Sequence, residues 1–159
     1  MVHHFMWRLG HNSHPLHMNI QRRGVELDTR CNVCGGYFEV GGYLFFRCKY
    51  VKALWRAADL ENERRALMQQ PTSLEILQGI FALEEGKKQK VICLMWKWWT
   101  ERNSVRHCER QTGLDVFFAQ LNLTISAWYE FFSPLANLTV TIFPKWTHSL
   151  YNPNRAASR

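Results

Sequence analysis

Cys31, Cys34 and Cys48 occur in the order Cys-x-x-Cys, eight residues, Tyr43, four residues, Cys48. Two thiolates three positions apart on a tight turn can grip one side of a tetrahedral Zn²⁺, and Gly35 and Gly36 support such a turn. Cys48 adds a third sulfur. The position at which a His would complete a Cys₃His set holds Tyr43. A phenol is a poor ligand, because its proton leaves only at about pH 10. The chain thus carries a metal-knuckle framework with one ligand missing. The residues alone leave two readings open: a structural zinc knuckle, or three reduced cysteines packed as small apolar groups. His11, His14, His17, His107 and Cys108 are further donors, and none has a local spacing that selects it.

Length and composition narrow the class. At 159 residues the chain is one domain, or a small domain with an appendage, and 47% hydrophobic content is ample for a packed core. No stretch approaches the roughly eighteen apolar residues of a membrane span. The start Met1-Val-His-His-Phe lacks the basic and apolar regions of a secretory leader. With five cysteines, an odd count, a reducing setting is expected, nuclear or cytoplasmic rather than secreted.

The hydrophobic pattern predicts helices for most of the chain. A short helical turn near Phe5, a break at Asn12 to Pro15 and a second helix ending near Gly24 open it. Asp28 to Cys48 reads as turn-rich, with room for a small hairpin flanking Gly41-Gly42. Tyr50 to Leu60 reads as a helix with Val51, Leu54 and Trp55 on one face. Glu61 to Gln70 is a charged connection, helical or loosely ordered. Thr72-Ser73-Leu74-Glu75 fits a capping box ahead of an apolar run that Gly86 ends. Lys87 to Arg110 is the strongest helix, with Val91, Ile92, Met95, Trp98, Trp99 and Arg102 at helical spacing. Leu94 and Trp96 lie on another side, which places this helix centrally or under a further domain. Leu114 to Ser133 carries a second stripe of Phe118, Leu121, Ile125, Trp128 and Phe132. Leu135 to Arg159 reads as an extended tail.

The net charge of +7 favours an anionic partner. Arg22, Arg23, Arg30, Arg47, Lys49, Lys52 and Arg56 bracket the cysteines, with Tyr37, Phe38, Phe45, Phe46 and Tyr50 among them. Cations that neutralise phosphates, interleaved with rings that stack on bases, suit single-stranded nucleic acid. The bland counterpart is a set of core aromatics with solvated charges. Catalysis has little to work with. Asp28, Asp59 and Asp115 are the only aspartates and are scattered, whereas two-metal phosphoryl chemistry needs clustered carboxylates. No Tyr-x-Asp-Asp word, Gly-rich phosphate loop or nucleophile elbow is present.

Several separated words then align in order: Trp7-Arg8-Leu9-x-His11-Asn12-Ser13-x-Pro15, Asn19-x-Gln21-Arg22-Arg23-Gly24, Asp28-Thr29-Arg30-Cys31-x-x-Cys34-Gly35, Gly41-Gly42-Tyr43-Leu44-Phe45 and Cys48-x-x-Val51-x-x-x-Trp55. They resemble the zinc-binding domain of plant reverse transcriptases of the non-LTR retrotransposon type. The stretch Leu94-x-Trp96-x-Trp98-Trp99-x-Glu101-Arg102-Asn103 resembles the helix that follows the knuckle in such elements. The resemblance covers Phe5 to Glu109, about two-thirds of the chain. In that family the position of Tyr43 is usually His, and the polymerase precedes the domain, so this chain resembles a detached retroelement fragment.

The expected fold is mainly α: a small helical domain with an irregular Cys-rich, zinc-knuckle-like turn, then two long amphipathic helices and an extended tail. The expected organisation is a reverse-transcriptase-type zinc-binding domain over 5–60, a helical connector over 61–133 and a linker-like tail over 134–159. The resemblance implies a non-catalytic module associated with RNA or single-stranded DNA. It implies zinc on Cys31, Cys34 and Cys48, weakened by Tyr43, and Arg22, Arg23, Arg30, Arg47, Lys49 and Lys52 at the nucleic acid. The alternative is a domesticated or non-functional protein-interaction domain without zinc, using the Trp-rich helix; neither reading involves a membrane.

Overall fold

The computed structural model describes residues 2–106 and 113–132, and over these the chain is helical with no named strand. In order they are α1 (Val2–Gly10), α2 (His17–Gln21), α3 (Gly41–Phe46), α4 (Lys49–Ala57), α5 (Glu61–Met68), α6 (Ser73–Phe81), α7 (Glu85–Arg106) and α8 (Leu114–Phe132). Residues 1–122 form one compact unit and 123–159 a second, of which only the end of α8 is described. No helix among the described residues is long and apolar enough to cross a membrane. The tail from residue 133 lies outside the described residues, as do His107 and Cys108.

The mainly helical class with a Cys-rich turn is what the sequence predicts. The break between α1 and α2 falls at Asn12, which takes a left-handed φ of 49° that asparagine tolerates well. The capping box at α6 is complete: Glu75 N donates to Thr72 Oγ1 (3.2 Å), and Thr72 N donates to Glu75 Oε2 (3.0 Å).

Two local expectations are corrected. Gly41-Gly42 does not sit in a hairpin; both residues begin α3, because Leu44, Phe45 and Phe46 must turn inward together and a helical turn buries all three. The paired segments lie earlier, at an antiparallel bridge between Arg30 and Phe38. Gly86 does not end α6, which stops at Phe81. It lies in the first turn of α7, where its N–H is taken by Glu84 Oε1 at 3.0 Å. The charged stretch 61–70 is ordered as α5, held by Glu61 to Arg64 (2.7 Å) and Arg65 (3.1 Å) and by Glu63 to Lys87 (2.6 Å).

The core of the first unit gathers on α7. Val91 to Met95 and Trp98 are all buried, because α1, α4 and α6 each pack against this helix. An apolar surface on every side is what a helix enclosed by neighbours needs. Trp96 and Trp99 are half-buried, so Trp98 alone of the three is fully spent in the core. Among the described side chains of α8, Phe117 and Leu121 are buried and Phe118 and Ile125 intermediate, and Trp128 and Phe132 of the predicted stripe lie outside those described.

The short helix α3 is the structural hinge of the cysteine region. The last carbonyls of any helix lack intrahelical partners, and a buried one must find another donor. Here each is met by a side chain from a different helix. Trp98 Nε1 of α7 donates to Leu44 O (2.9 Å), Trp55 Nε1 of α4 to Phe45 O (2.9 Å), and Arg64 Nη1 of α5 to Phe46 O (2.6 Å). Tyr43 O accepts from the N–H groups of Arg47 and Cys48, both at 2.9 Å. The segment from Tyr43 to Cys48 is thereby positioned by three surrounding helices.

Candidate metal centre

The cysteine turn is shaped by its own backbone. Cys31 N donates to Tyr37 O (3.1 Å) and Glu39 N to Thr29 O (2.7 Å), which closes a loop carrying Cys31 and Cys34 at its tip. Gly35 N reaches back to Cys31 O (2.8 Å), and Gly35 adopts φ +64°, the left-handed region that glycine enters without cost. Asp28 starts the loop by accepting from Arg30 N (3.0 Å), and its side chain pairs with the Arg30 guanidinium at 2.7 Å. Hydrogen bonds from Arg30 hold the Asp28 carboxyl down at about 2.

Cys48 enters from the other side, as the residue preceding the first turn of α4. The Sγ atoms of Cys31, Cys34 and Cys48 all lie within 4.8 Å of one another. Two sulfurs on one tetrahedral zinc sit about 3.8 Å apart, given a Zn–S bond of about 2.3 Å, so three thiols in this arrangement suit a metal ion. Cys31 and Cys48 are fully buried and Cys34 is partly exposed. The Cys48 thiol is shifted down, first by its hydrogen bond with Cys31 and then, against burial, by the N–H groups of Tyr50 and Val51 at the start of α4. Cys31 is shifted up by the same contact and by burial.

Tyr43 stands beside the cluster, its Oη 3.1 Å from Cys34 Sγ. Gly36 makes room for it: a Cβ at Gly36 would lie 2.7 Å from the Tyr43 hydroxyl. Loss of water around the phenol, then the hydrogen bond with Cys34, raises its pKa further from neutrality. No His, Cys, Asp or Glu joins the three cysteines as a fourth ligand among the described residues. Among the described residues the site therefore supplies three of zinc's four positions.

Three histidines among the described residues, His11, His14 and His17, have separate surroundings. His17 Nδ1 meets Arg30 O (3.0 Å) and its Nε2 meets Asn32 Nδ2 (3.2 Å), so this ring braces the chain on both sides of Cys31. His11 Nδ1 bonds Trp7 O (2.8 Å) at the surface. His14 is buried among Phe5, Phe45 and Trp99, and neither ring nitrogen has a hydrogen-bond partner among the described residues.

A groove of about 990 Å³ opens directly beside the cysteines. Its lining includes Cys34, Gly36 and Tyr43 at the cluster, together with Tyr37, Phe38, Arg47, Lys49 and Lys52. Tyr37 and Phe38 are 79% and 61% exposed, which is costly for bare rings in water and leaves their faces open to stacking. The remaining aromatics divide differently: Phe45 and Phe46 are core residues, and Tyr50 lies under Lys49 Nζ at 5.1 Å. The six basic candidates have different immediate surroundings. Arg47, Lys49 and Lys52 line the groove; Arg22 lines a separate, smaller cleft with Asn12 and Asn19; Arg23 is exposed; Arg30 is occupied by Asp28.

Two charged residues that the sequence reading gave no role are central. Glu39 and Arg102 are both fully buried and form an ion pair, with Arg102 Nε 3.2 Å from Glu39 Oε2. His17 N also donates to Glu39 Oε1 (3.2 Å), Arg102 packs against Trp99 (5.2 Å to the ring centre), and Asn103 Oδ1 accepts from Arg102 (3.0 Å). The signal was available: Arg102 falls in the apolar stripe of α7, and a charge at a core register requires a buried partner.

Residues 1–55 match the family described as zinc-binding in reverse transcriptase. The match spans α1 to α3 and most of α4, with all three cysteines and Tyr43 inside it; α5 to α8 lie beyond it. The resemblance to a reverse-transcriptase zinc-binding domain therefore holds over that segment. No curated protein and no solved structure matches the chain.

Proposed function

We propose that this protein is a non-catalytic module of plant non-LTR retroelement origin that holds single-stranded RNA or DNA in the groove beside its cysteine cluster. The observation that carries the reading is the composition of that groove: two exposed rings, Tyr37 and Phe38, share its lining with three cations, Arg47, Lys49 and Lys52. Rings stack on bases of any sequence while cations neutralise the backbone, and each base stacked contributes about 1–3 kcal/mol. Zinc on Cys31, Cys34 and Cys48 would fix the loop that carries Tyr37 and Phe38 relative to α4, which carries Lys49 and Lys52. The scatter of the aspartates supports a non-catalytic reading, and two carboxylates near the cysteines are already paired, Asp28 with Arg30 and the buried Glu39 with Arg102. Such a module works inside the cell, in nucleus or cytoplasm.

The test is binding of a fluorescent single-stranded oligonucleotide across a salt series. Arg47, Lys49 and Lys52 changed together to Ala should flatten the plot of log affinity against log salt by about 2, at roughly 0.7 per phosphate contact. Arg22 and Arg23 to Ala should weaken binding less. Equal slopes for the triple variant and the unaltered protein would reject the groove as the site.

A further inference from the structure

We propose that Cys31, Cys34 and Cys48 form a site selective for a three-coordinate thiophilic ion, of which trivalent arsenic is the representative, in preference to zinc. The inference rests on reading the three cysteines as a metal site and is independent of nucleic-acid binding.

Ligand number is the first argument. Three sulfurs converge within 4.8 Å, and the space next to Cys34 is taken by the Tyr43 hydroxyl at 3.1 Å, in a niche that Gly36 leaves open. A structural zinc site is almost always four-coordinate, so among the described residues zinc finds only a phenol or a solvent molecule for its fourth position. Trivalent arsenic completes its valence with three thiolates, and its lone pair fills the fourth direction. A neighbouring phenol then does not need to coordinate.

Charge is the second argument. Three thiolates around Zn²⁺ leave one net negative charge, whereas three around trivalent arsenic leave none. Cys31 and Cys48 have no solvent exposure, and a buried charge without a partner is expensive. Soft thiolate sets favour soft ions in any case. The reaction balances without an oxidant. Arsenous acid exchanges its three hydroxyls for three As–S bonds, each thiol proton leaves with a hydroxyl as water, and arsenic stays trivalent.

The experiment uses the full chain, reduced and metal-free, with arsenite and zinc offered singly and together and the product read by native mass spectrometry. The expected product gains one arsenic and loses three hydrogens, and equimolar zinc does not displace it. Tyr43→Phe, which removes the hydroxyl and keeps the ring, should show the same order. Tyr43→His should shift the competition toward zinc by at least about tenfold, the scale on which even outer partners change metal affinity. Arsenic retained through two sulfurs, with two hydrogens lost and one hydroxyl kept, would overturn the proposal, as would zinc displacing arsenic from the unaltered protein. Binding of zinc alone defeats this inference and leaves the zinc knuckle standing; binding of neither ion defeats both.

Discussion

The Arg102 guanidinium near the end of α7 closes on the Glu39 carboxylate beside the cysteine turn, across 63 residues of sequence and without contact with solvent. Glu39 is also tied to α2 through His17 N and Met18 N, the latter bonding Glu39 O at 3.3 Å. One buried carboxylate therefore joins the loop bearing the cysteines, the helix after the first break and the central helix. Together with Trp98 on the Leu44 carbonyl, it makes α7 part of the scaffold that holds the candidate metal centre.

Removing one member of a buried ion pair strands the other. Arg102→Leu is expected to cost roughly 3–5 kcal/mol of folding stability. Glu39→Gln combined with Arg102→Leu should recover part of that loss, because the stranded charge is gone. Urea denaturation of the two variants measures the difference; a loss below about 1 kcal/mol for Arg102→Leu would show that the pair is not buried as described.

The segment that matches the zinc-binding family depends on partners beyond it. In a fragment comprising residues 1–60, the carbonyls of Leu44 and Phe46 lose Trp98 and Arg64, and Glu39 loses Arg102. Such a fragment should give poorly dispersed amide NMR spectra, while a fragment of residues 1–122 should give dispersed ones. Well-dispersed spectra from the shorter fragment would remove α7 from the scaffold.

His14 makes stability depend on pH. Burial, then the positive charge of Arg8, depresses its pKa from 6.5 to about 4. The unfolded chain takes up this proton first as pH falls. The stabilisation from a neutral His14 is therefore complete above about 6.5 and lost between about 6.5 and about 4, amounting to roughly 3 kcal/mol. Thermal denaturation of metal-free protein over that range should show the decline, and His14→Leu should flatten it. A variant with the same pH dependence would assign the effect elsewhere.

Much of this molecule is legible from residue order because its signals are local. The capping box at Thr72, the helix bearing Val51, Leu54 and Trp55, and the cysteine spacing each specify their own surroundings. The features that escape are those set by distant partners. Gly41-Gly42 looks like a turn until the burial of Leu44, Phe45 and Phe46 turns it into a helix start. Phe45 and Phe46 look like stacking rings until their place in the core is known, and Tyr37 and Phe38 are left at the groove. Glu39 and Arg102, 63 positions apart, are ordinary charges until folding brings them together. Arg22, Arg23, Arg30, Arg47, Lys49 and Lys52 form one basic run on paper. In the folded chain the last three line the groove beside the cysteines, Arg22 lines the smaller cleft and Arg30 pairs with Asp28.

The account turns on three sulfurs converging on one ion beside Tyr43, and zinc K-edge X-ray absorption of protein loaded with one equivalent of zinc measures this directly. Three sulfur neighbours at about 2.3 Å and one lighter atom are predicted, becoming three sulfurs and an imidazole nitrogen in Tyr43→His. A shell with two or fewer sulfurs, or an identical spectrum for the two proteins, would contradict it.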